Sequence, residues 1–252
     1  MFIADYYNRA FGLESTIISS YGPDFVPYVQ PPQKIKLLPA KPNHPKTLLF
    51  RNIITPDSRQ WFAENTAFAD EPLVDGSMKA ALESADLFIF TTILPNYSVK
   101  YVKQLFSFLP ENCLTAFVCQ GYLRHIGQDS KITTRDFPEA KELLPLFDLT
   151  VLSDEDHPDS KSMAHGWKKN AAVRNIVLTH GPKGASVIAA EDVLHIPTKT
   201  LADHEIIDSV GCGDIFLGSL AYNYWQQRDL AAAIKKAHEA AREKLTAPIH
   251  VD

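Results

Sequence analysis

From Ala85 to Leu245 the chain alternates between short apolar, β-branched runs and longer stretches with apolar residues at helical spacing, and nothing else in it constrains the fold as strongly. Ala85–Thr91, Leu114–Val118, Leu149–Leu152 and Asn175–Thr179 read as buried strands. Tyr97–Leu109 carries Val99, Val102, Leu105, Phe106 and Leu109 on one stripe. Phe137–Phe147, in spite of Pro145, and Met163–Val173 are predicted to be helices as well. Ser186–Ala189 and Val193–Ile196 read as a hairpin around Glu191 and Asp192. Two helices close the pattern, from Asp214 to Trp225 and from Leu230 to Leu245. Strands alternating with helices require crossover connections, which predicts an α/β fold: a mainly parallel, doubly wound sheet with helices on both faces. In such sheets ligands gather at the carboxyl ends of the strands.

Length and charge narrow the function classes. The 252 residues, 45% hydrophobic, suffice for one large domain with a small appendage. A net charge of −5 and no dense Lys/Arg cluster argue against a nucleic-acid surface. No apolar run approaches the roughly 20 residues that span a bilayer, and Met1–Tyr6 lacks the layout of a signal peptide. Cys113, Cys119 and Cys212 have no metal-binding or redox spacing, and their odd, sparse number fits a reducing cytoplasm. The chain is therefore expected to be cytoplasmic, with no membrane or nucleic-acid partner.

The first third differs in character. Asp5–Phe11 reads as a helix ended by Gly12, followed by a strand over Thr16–Tyr21 and a turn at Gly22-Pro23-Asp24. Between residues 34 and 64, Lys34–Leu38, Lys46–Ile54 and Arg59–Phe62 are strand candidates punctuated by Pro39, Pro42, Pro45 and the turn Thr55-Pro56-Asp57-Ser58. Short strands joined this way predict a small antiparallel sheet. By itself it reads as an edge meander packed on the core.

The chemistry concentrates in Ile207-Asp208-Ser209-Val210-Gly211-Cys212-Gly213-Asp214-Ile215-Phe216-Leu217-Gly218. Gly211 and Gly213 leave backbone N–H groups unshielded at what reads as a helix N-terminus. Such a place binds anions, phosphate above all. A carboxylate there repels the anion, so Asp214 makes chemical sense as the base that takes a proton from a hydroxyl attacking a phosphoryl group. A turn that merely opens a helix, with Asp214 favourable in its first turn, fits the same residues.

This stretch resembles the Asp-Thr-x-Gly-Ala-Gly-Asp-x-Phe-x-Gly signature of the ribokinase-like (PfkB) carbohydrate kinases. Asp208, Gly211, Gly213, Asp214, Phe216 and Gly218 match it, and Ser209 and Cys212 are small replacements. The resemblance implies that Asp214 is the base, that Gly211, Cys212 and Gly213 form the anion hole with it, and that Asp208 lies near a monovalent-cation or metal region. Thr179-His180-Gly181-Pro182-Lys183-Gly184 resembles the family's Thr-x-Gly-x-x-Gly nucleotide loop. That implies Thr179, Gly181 and Gly184 beside the ATP phosphates, although a hairpin turn wants the same glycines; His180 reads as a packed or exposed histidine. Gln120-Gly121-Tyr122-Leu123-Arg124 is similar to the Gln-Gly-Phe-x-Arg stretch of the myo-inositol-kinase-like branch. Gln120 would then bond a polyol and Arg124 steady a phosphate; a solvated loop fits equally. Ser153 and Asp156 stand where the family has Asn-x-x-Glu, whose role is to arrange water around magnesium and the triphosphate. An acidic loop capping the next helix is the alternative there. Ala237–Ala241 matches the small-residue helix beside the family's adenine site, with Pro248 after its end. The family also has a strand and a Gly-Gly-x-x-x-Asn element ahead of the segment at which this sequence starts.

The expectations are thus a ribokinase-like core over 1–30 and 66–252, with a β lid over 31–65. The activity implied is ATP-dependent phosphorylation of a sugar or polyol hydroxyl, with ATP and Mg2+ as cofactors and a monovalent cation as an option. The partner is a small-molecule substrate, with a homodimer as one option for assembly. The rival reading is a non-catalytic protein on the same fold that binds a nucleotide or a partner.

Overall fold

The computed structural model describes residues 1–28, 34–55 and 58–247. Pro56 and Asp57 of the turn expected between the lid strands, and Pro248, lie outside these. In chain order the elements are α1 (Phe2–Phe11), β1 (Ser15–Ile18), β2 (Ile35–Leu38), β3 (Leu49–Thr55), β4 (Ser58–Glu64), α2 (Gly76–Glu83), β5 (Leu87–Thr91), α3 (Val99–Phe106), β6 (Leu114–Val118), β7 (Arg124–Ile126), β8 (Ile132–Thr134), α4 (Ala140–Leu143), β9 (Leu149–Ser153), α5 (Ser160–Asn170), β10 (Asn175–Thr179), β11 (Ala185–Ile188), β12 (Val193–Ile196), α6 (Cys212–Gln227) and α7 (Leu230–Thr246).

The central sheet has the order β12-β11-β10-β9-β6-β5. β5, β6, β9 and β10 run parallel, while β11 and β12 turn back antiparallel as the expected hairpin. Alternate residues of each strand feed two cores. Phe90, Phe117, Leu152, Ile176 and Leu178 pack with Val102 of α3, Leu143 of α4 and Ala164 of α5. Leu114, Ala116, Leu149, Val151 and Val177 pack with Phe216, Leu217 and Leu220 of α6 and Ile234 and Ala237 of α7. Burial on both faces is what near-continuous apolar parallel strands require. Local signals set the helix starts: the side chains of Asp75, Ser98 and Asp229 accept from the N–H groups of Met78, Tyr101 and Ala232 at 2.8, 3.2 and 3.0 Å.

α1 lies across α6 at Gly218. The Tyr7 hydroxyl donates to the Gly218 carbonyl at 2.8 Å, and a Cβ on Gly218 would come within 3.2 Å of Ile3. Tyr7 is buried, which drives its pKa far above the ordinary phenol value and keeps it a donor. Tyr7→Phe removes this bond, although the Gly218 carbonyl keeps its place in the α6 ladder, and is expected to cost about 1 kcal/mol. For a chain of this size that is a melting-temperature drop of roughly 2–4 °C, readable by calorimetry.

Two expectations are corrected. Residues 35–38 do not join an antiparallel lid: β2 pairs in parallel with β1, from Ser15 with Ile35 to Ile18 with Leu38. Leu38 is buried among Met78, Leu82 and Tyr101, so its apolar side chain draws the strand to the core. The helix expected over 137–147 is one short turn, α4, followed by a 3-10 turn over Leu144–Leu146 that contains Pro145, which cannot donate to a regular helix. A further element that the sequence reading did not include follows Gln120, a second hairpin, β7–β8. It joins the β3–β4 hairpin through the Phe62–Lys131 bridge and the Ala63 N–H to Ser130 carbonyl bond of 2.9 Å. Ala63, Leu94 and Ile132, with Phe50 and Trp61, form the small core beneath both hairpins.

Candidate active site

α6 starts where the sequence places its helix. Gly211 is its N-cap, left-handed at φ 79°, and a Cβ there would meet the Phe2 ring at 2.7 Å. Both facts demand glycine. The N–H of Cys212 bonds the Ser209 carbonyl at 3.2 Å, and that of Ile215 bonds Gly211 at 2.9 Å. Cys212 therefore does not offer its N–H to an anion, contrary to expectation. The two N–H groups between, of Gly213 and Asp214, have no backbone partner among the described residues, and the space beside Gly213 is open. The helix dipole adds to them.

Asp214 sits in this first turn. Burial pushes its carboxyl above the ordinary carboxylate range, against the pull of the Met1 α-ammonium and of Arg124. Asp208 anchors the loop ahead of the turn. One of its oxygens bonds the Lys244 ammonium at 2.7 Å and the other the Val210 N–H at 2.9 Å, and the Lys244 bond holds its pKa below the usual range. The Ile207 N–H docks on the Leu245 carbonyl at 2.8 Å. The positive charge that answers Asp208 is an ammonium of the chain, and the pair anchors the turn.

The carboxyl ends of the next strands bring the other candidates together. Gln120, after β6, donates to Asp156 at 2.8 Å, and the Ser153 N–H, at the end of β9, donates to the other Asp156 oxygen at 2.7 Å. Burial raises the Asp156 pKa, opposed by these two bonds and by Arg124. Arg124 donates to the Ile93 carbonyl at 3.1 Å and lies 4.5 Å over the Phe50 ring, so it links the β5 end, the β3–β4 hairpin and both carboxylates. Ser153 Oγ accepts from the Glu155 N–H at 3.2 Å. Thr179 bonds the Leu152 carbonyl at 3.4 Å and leads into Gly181 and Gly184, both at positive φ.

Gln120, Arg124, Asp156 and Asp214 are therefore one electrostatic group, with the 179–184 loop on the β10 side. Among the described residues, no three His, Cys, Asp or Glu side chains are placed to hold a metal ion, and no helix is long and apolar enough to cross a membrane. Phe2 on the Gly211 turn and the bonds His180 makes were not readable in the sequence. Their partners are far apart in the chain and follow no spacing rule.

Residues 56–248 match the family described as pfkB family carbohydrate kinase. Deoxyribokinase of Salmonella typhi is 37% identical over 65 residues, 26% of this chain and 20% of that protein. Fructosamine kinase FrlD of Bacillus subtilis is 28% identical over 90 residues, 36% of this chain and 29% of that protein. The aligned segment thus spans between a fifth and a third of these relatives. Among solved structures, a pyrophosphate-dependent kinase in the ribokinase family, complexed with a pyrophosphate analog and myo-inositol, superposes with a TM-score of 0.76 at 14% identity, covering 98% of this chain and 86% of the other. Adenosine kinase from Schistosoma mansoni gives a TM-score of 0.76 at 10% identity, covering 98% and 78%. At these identities the likeness is one of fold, and it is the ribokinase-like α/β fold.

Proposed function

The chain belongs to the pfkB family of carbohydrate kinases, and from that premise we propose that it transfers the terminal phosphoryl group of ATP to a hydroxyl of a sugar or polyol. The observation that carries this reading is Asp214: a half-buried carboxylate with a raised pKa, in the first turn of a helix whose Gly213 and Asp214 N–H groups have no backbone partner among the described residues. Asp214 takes the proton from the acceptor hydroxyl as the oxygen attacks. The two N–H groups and the α6 dipole receive the charge that grows on the transferring phosphoryl group. Gly211 keeps the turn open, and the Asp208–Lys244 pair fixes it from behind.

Thr179, Gly181 and Gly184 line the donor side. Gln120 bonds a polyol hydroxyl, and Arg124 places its forked donors where a phosphate arrives. The donor set suits magnesium held chiefly by water and the donor phosphates: Asp156 is a half-buried carboxylate on that side, and each of its oxygens already accepts one protein hydrogen bond. Bound there, the ion would neutralise phosphate charge. The β3–β4 and β7–β8 hairpins act together as the lid, joined to the site by Arg124 on Phe50, and their closure excludes water. The expected division into a core and a 31–65 lid becomes, in this proposal, a lid of 49–64 with 124–134.

ADP release measured on a panel of sugars, polyols and nucleosides with ATP and Mg2+ tests the reading. Turnover of at least one polyhydroxy acceptor is expected. Stabilisation by ATP without turnover of any of them would favour the non-catalytic alternative on the same fold.

A further inference from the structure

Four side chains beside the donor loop form one hydrogen-bonded line. His180 Nδ1 lies 3.0 Å from Asp154, His180 Nε2 lies 2.9 Å from Ser186 Oγ, and Ser186 Oγ lies 3.2 Å from His195 Nδ1. They come from four places: the turn after β9, the 179–184 loop, β11 and β12. Ser186 is buried at 5% exposure, while His195 is exposed. The backbone holds the line in register: the Asp154 N–H bonds the Thr179 carbonyl at 3.0 Å, and the His180 N–H bonds the Gly184 carbonyl at 2.8 Å.

Counting hydrogens fixes the direction. The Asp154 carboxylate only accepts, so His180 carries its proton on Nδ1 and its Nε2 accepts. Ser186 has one hydrogen, which goes to His180 Nε2. His195 must then donate from Nδ1 to Ser186 Oγ, leaving its own Nε2 as a free acceptor toward solvent. One proton added at His195 Nε2 can pass inward by two hops. The Nδ1 proton of His195 moves to Ser186 Oγ as the Ser186 proton moves to His180 Nε2. One proton enters and none leaves; His180 becomes imidazolium between Asp154 and the donor loop, and His195 ends neutral with its proton on Nε2.

The geometry points to Asp154, His180, Ser186 and His195 as a proton relay that charges His180 when the phosphates of a nucleotide occupy the 179–184 loop. The inference rests on the donor-loop reading above. Phosphate near an imidazole favours its protonated form, and the space beside Gly181, the next residue, is open. His180 is thus a positioning residue that holds the loop with two N–H bonds and adds a positive charge on demand. Lys183 is on the same loop, Glu155 is on the Asp154 turn, and α5, which packs on β10 and β11, carries Lys161, His165, Lys168 and Lys169; at the other end of the line, His238 of α7, which packs on β12, is buried, and burial together with the charge of His195 lowers its pKa. Of these Lys168 is turned to the Val173 and Arg174 carbonyls.

Titration calorimetry with Mg2+ and ADP, repeated in two buffers of different ionisation enthalpy, tests the relay without any turnover. A net uptake of protons on binding ADP is expected, seen as a dependence of the measured heat on the buffer. His180→Asn, which keeps a donor for Asp154 but does not titrate, should abolish the uptake while ADP still binds. Nitrogen-15 spectra should show His195 changing from the Nδ1–H to the Nε2–H form on ADP binding, and Ser186→Ala should prevent that change. Binding with no buffer dependence, or equal uptake in His180→Asn, overturns the relay and leaves the donor site standing. Absence of any binding by ADP and ATP overturns the donor-site reading and the relay with it.

Discussion

Asp214→Asn is expected to lower turnover by at least about 100-fold, the smaller end of what a general base contributes. The substitution keeps the shape of the side chain and the N–H groups of the α6 first turn, and removes only the ability to take a proton. ATP binding should persist, because the donor contacts proposed at Thr179, Gly181 and Gly184 are untouched. The parent enzyme carries a second signature. Its base must be ionised to work, and burial holds Asp214 above the ordinary carboxylate range. The acid limb of its kcat/KM profile should therefore lie above that range, with activity lost as pH falls through the raised value. The variant should lose that limb. The sign for stability is the opposite of a salt-bridged carboxylate. A raised native pKa means the folded chain binds the proton more tightly than the unfolded one, so ionisation of Asp214 weighs against folding as pH rises. At neutral pH the melting temperature of Asp214→Asn should then be no lower than the parent's, which separates a chemical loss from an unfolded sample. Unchanged turnover would remove Asp214 from the mechanism.

The parts of this fold that were legible are those where one residue type meets one physical demand. Gly211 had to be glycine for a left-handed N-cap pressed by Phe2, and the stretch around it announced a helix start. The strands from β5 to β10 were legible because burial on both faces leaves unbroken apolar runs. The β7–β8 hairpin was missed because each strand has three residues, too few for alternation to register, although Gly127 to Ser130 carries turn chemistry. β2 was assigned to the wrong sheet because Ile35-Lys36-Leu37 alternates as a lid strand would, while Leu38, which settles its place, has partners on α2 and α3. In the site, Gln120 and Asp156 could be proposed singly, but not the bond between them. Cys212 was misassigned as a phosphate donor because whether an N–H is free depends on the curl of the preceding turn, which Ser209 closes. The bond between Asp208 and Lys244 was not readable, because the two lie 36 residues apart.

The second large effect is expected at Gly184. Its φ of 100° with ψ of −144° lies in a region open essentially to glycine alone. A Cβ there would sit 2.3 Å from the Ile196 carbonyl oxygen and 2.9 Å from Pro197 Cα, backbone atoms that cannot swing aside as a side-chain tip can. Gly184→Ala should cost about 3 kcal/mol or more, from backbone strain of roughly 1–3 kcal/mol and the displacement of β12. For a chain of this length that is a fall in melting temperature of roughly 6–12 °C. Gly181 is the control on the same loop. Its φ of 53° is left-handed, yet a Cβ would meet nothing within 4 Å. Gly181→Ala should cost only about 1–2 kcal/mol, the ordinary penalty of that conformation. The two variants also part in function. The Gly184 carbonyl accepts the His180 N–H at 2.8 Å, so moving it pulls the loop away from the Asp154 turn, and KM for ATP should rise with the loss of stability. Gly181→Ala instead places a methyl group on the open side, where the donor phosphates are proposed to lie, and should raise KM for ATP with the smaller fall in melting temperature, roughly 2–8 °C. If Gly181→Ala leaves KM for ATP unaltered, the phosphates lie elsewhere and the donor assignment of this loop fails.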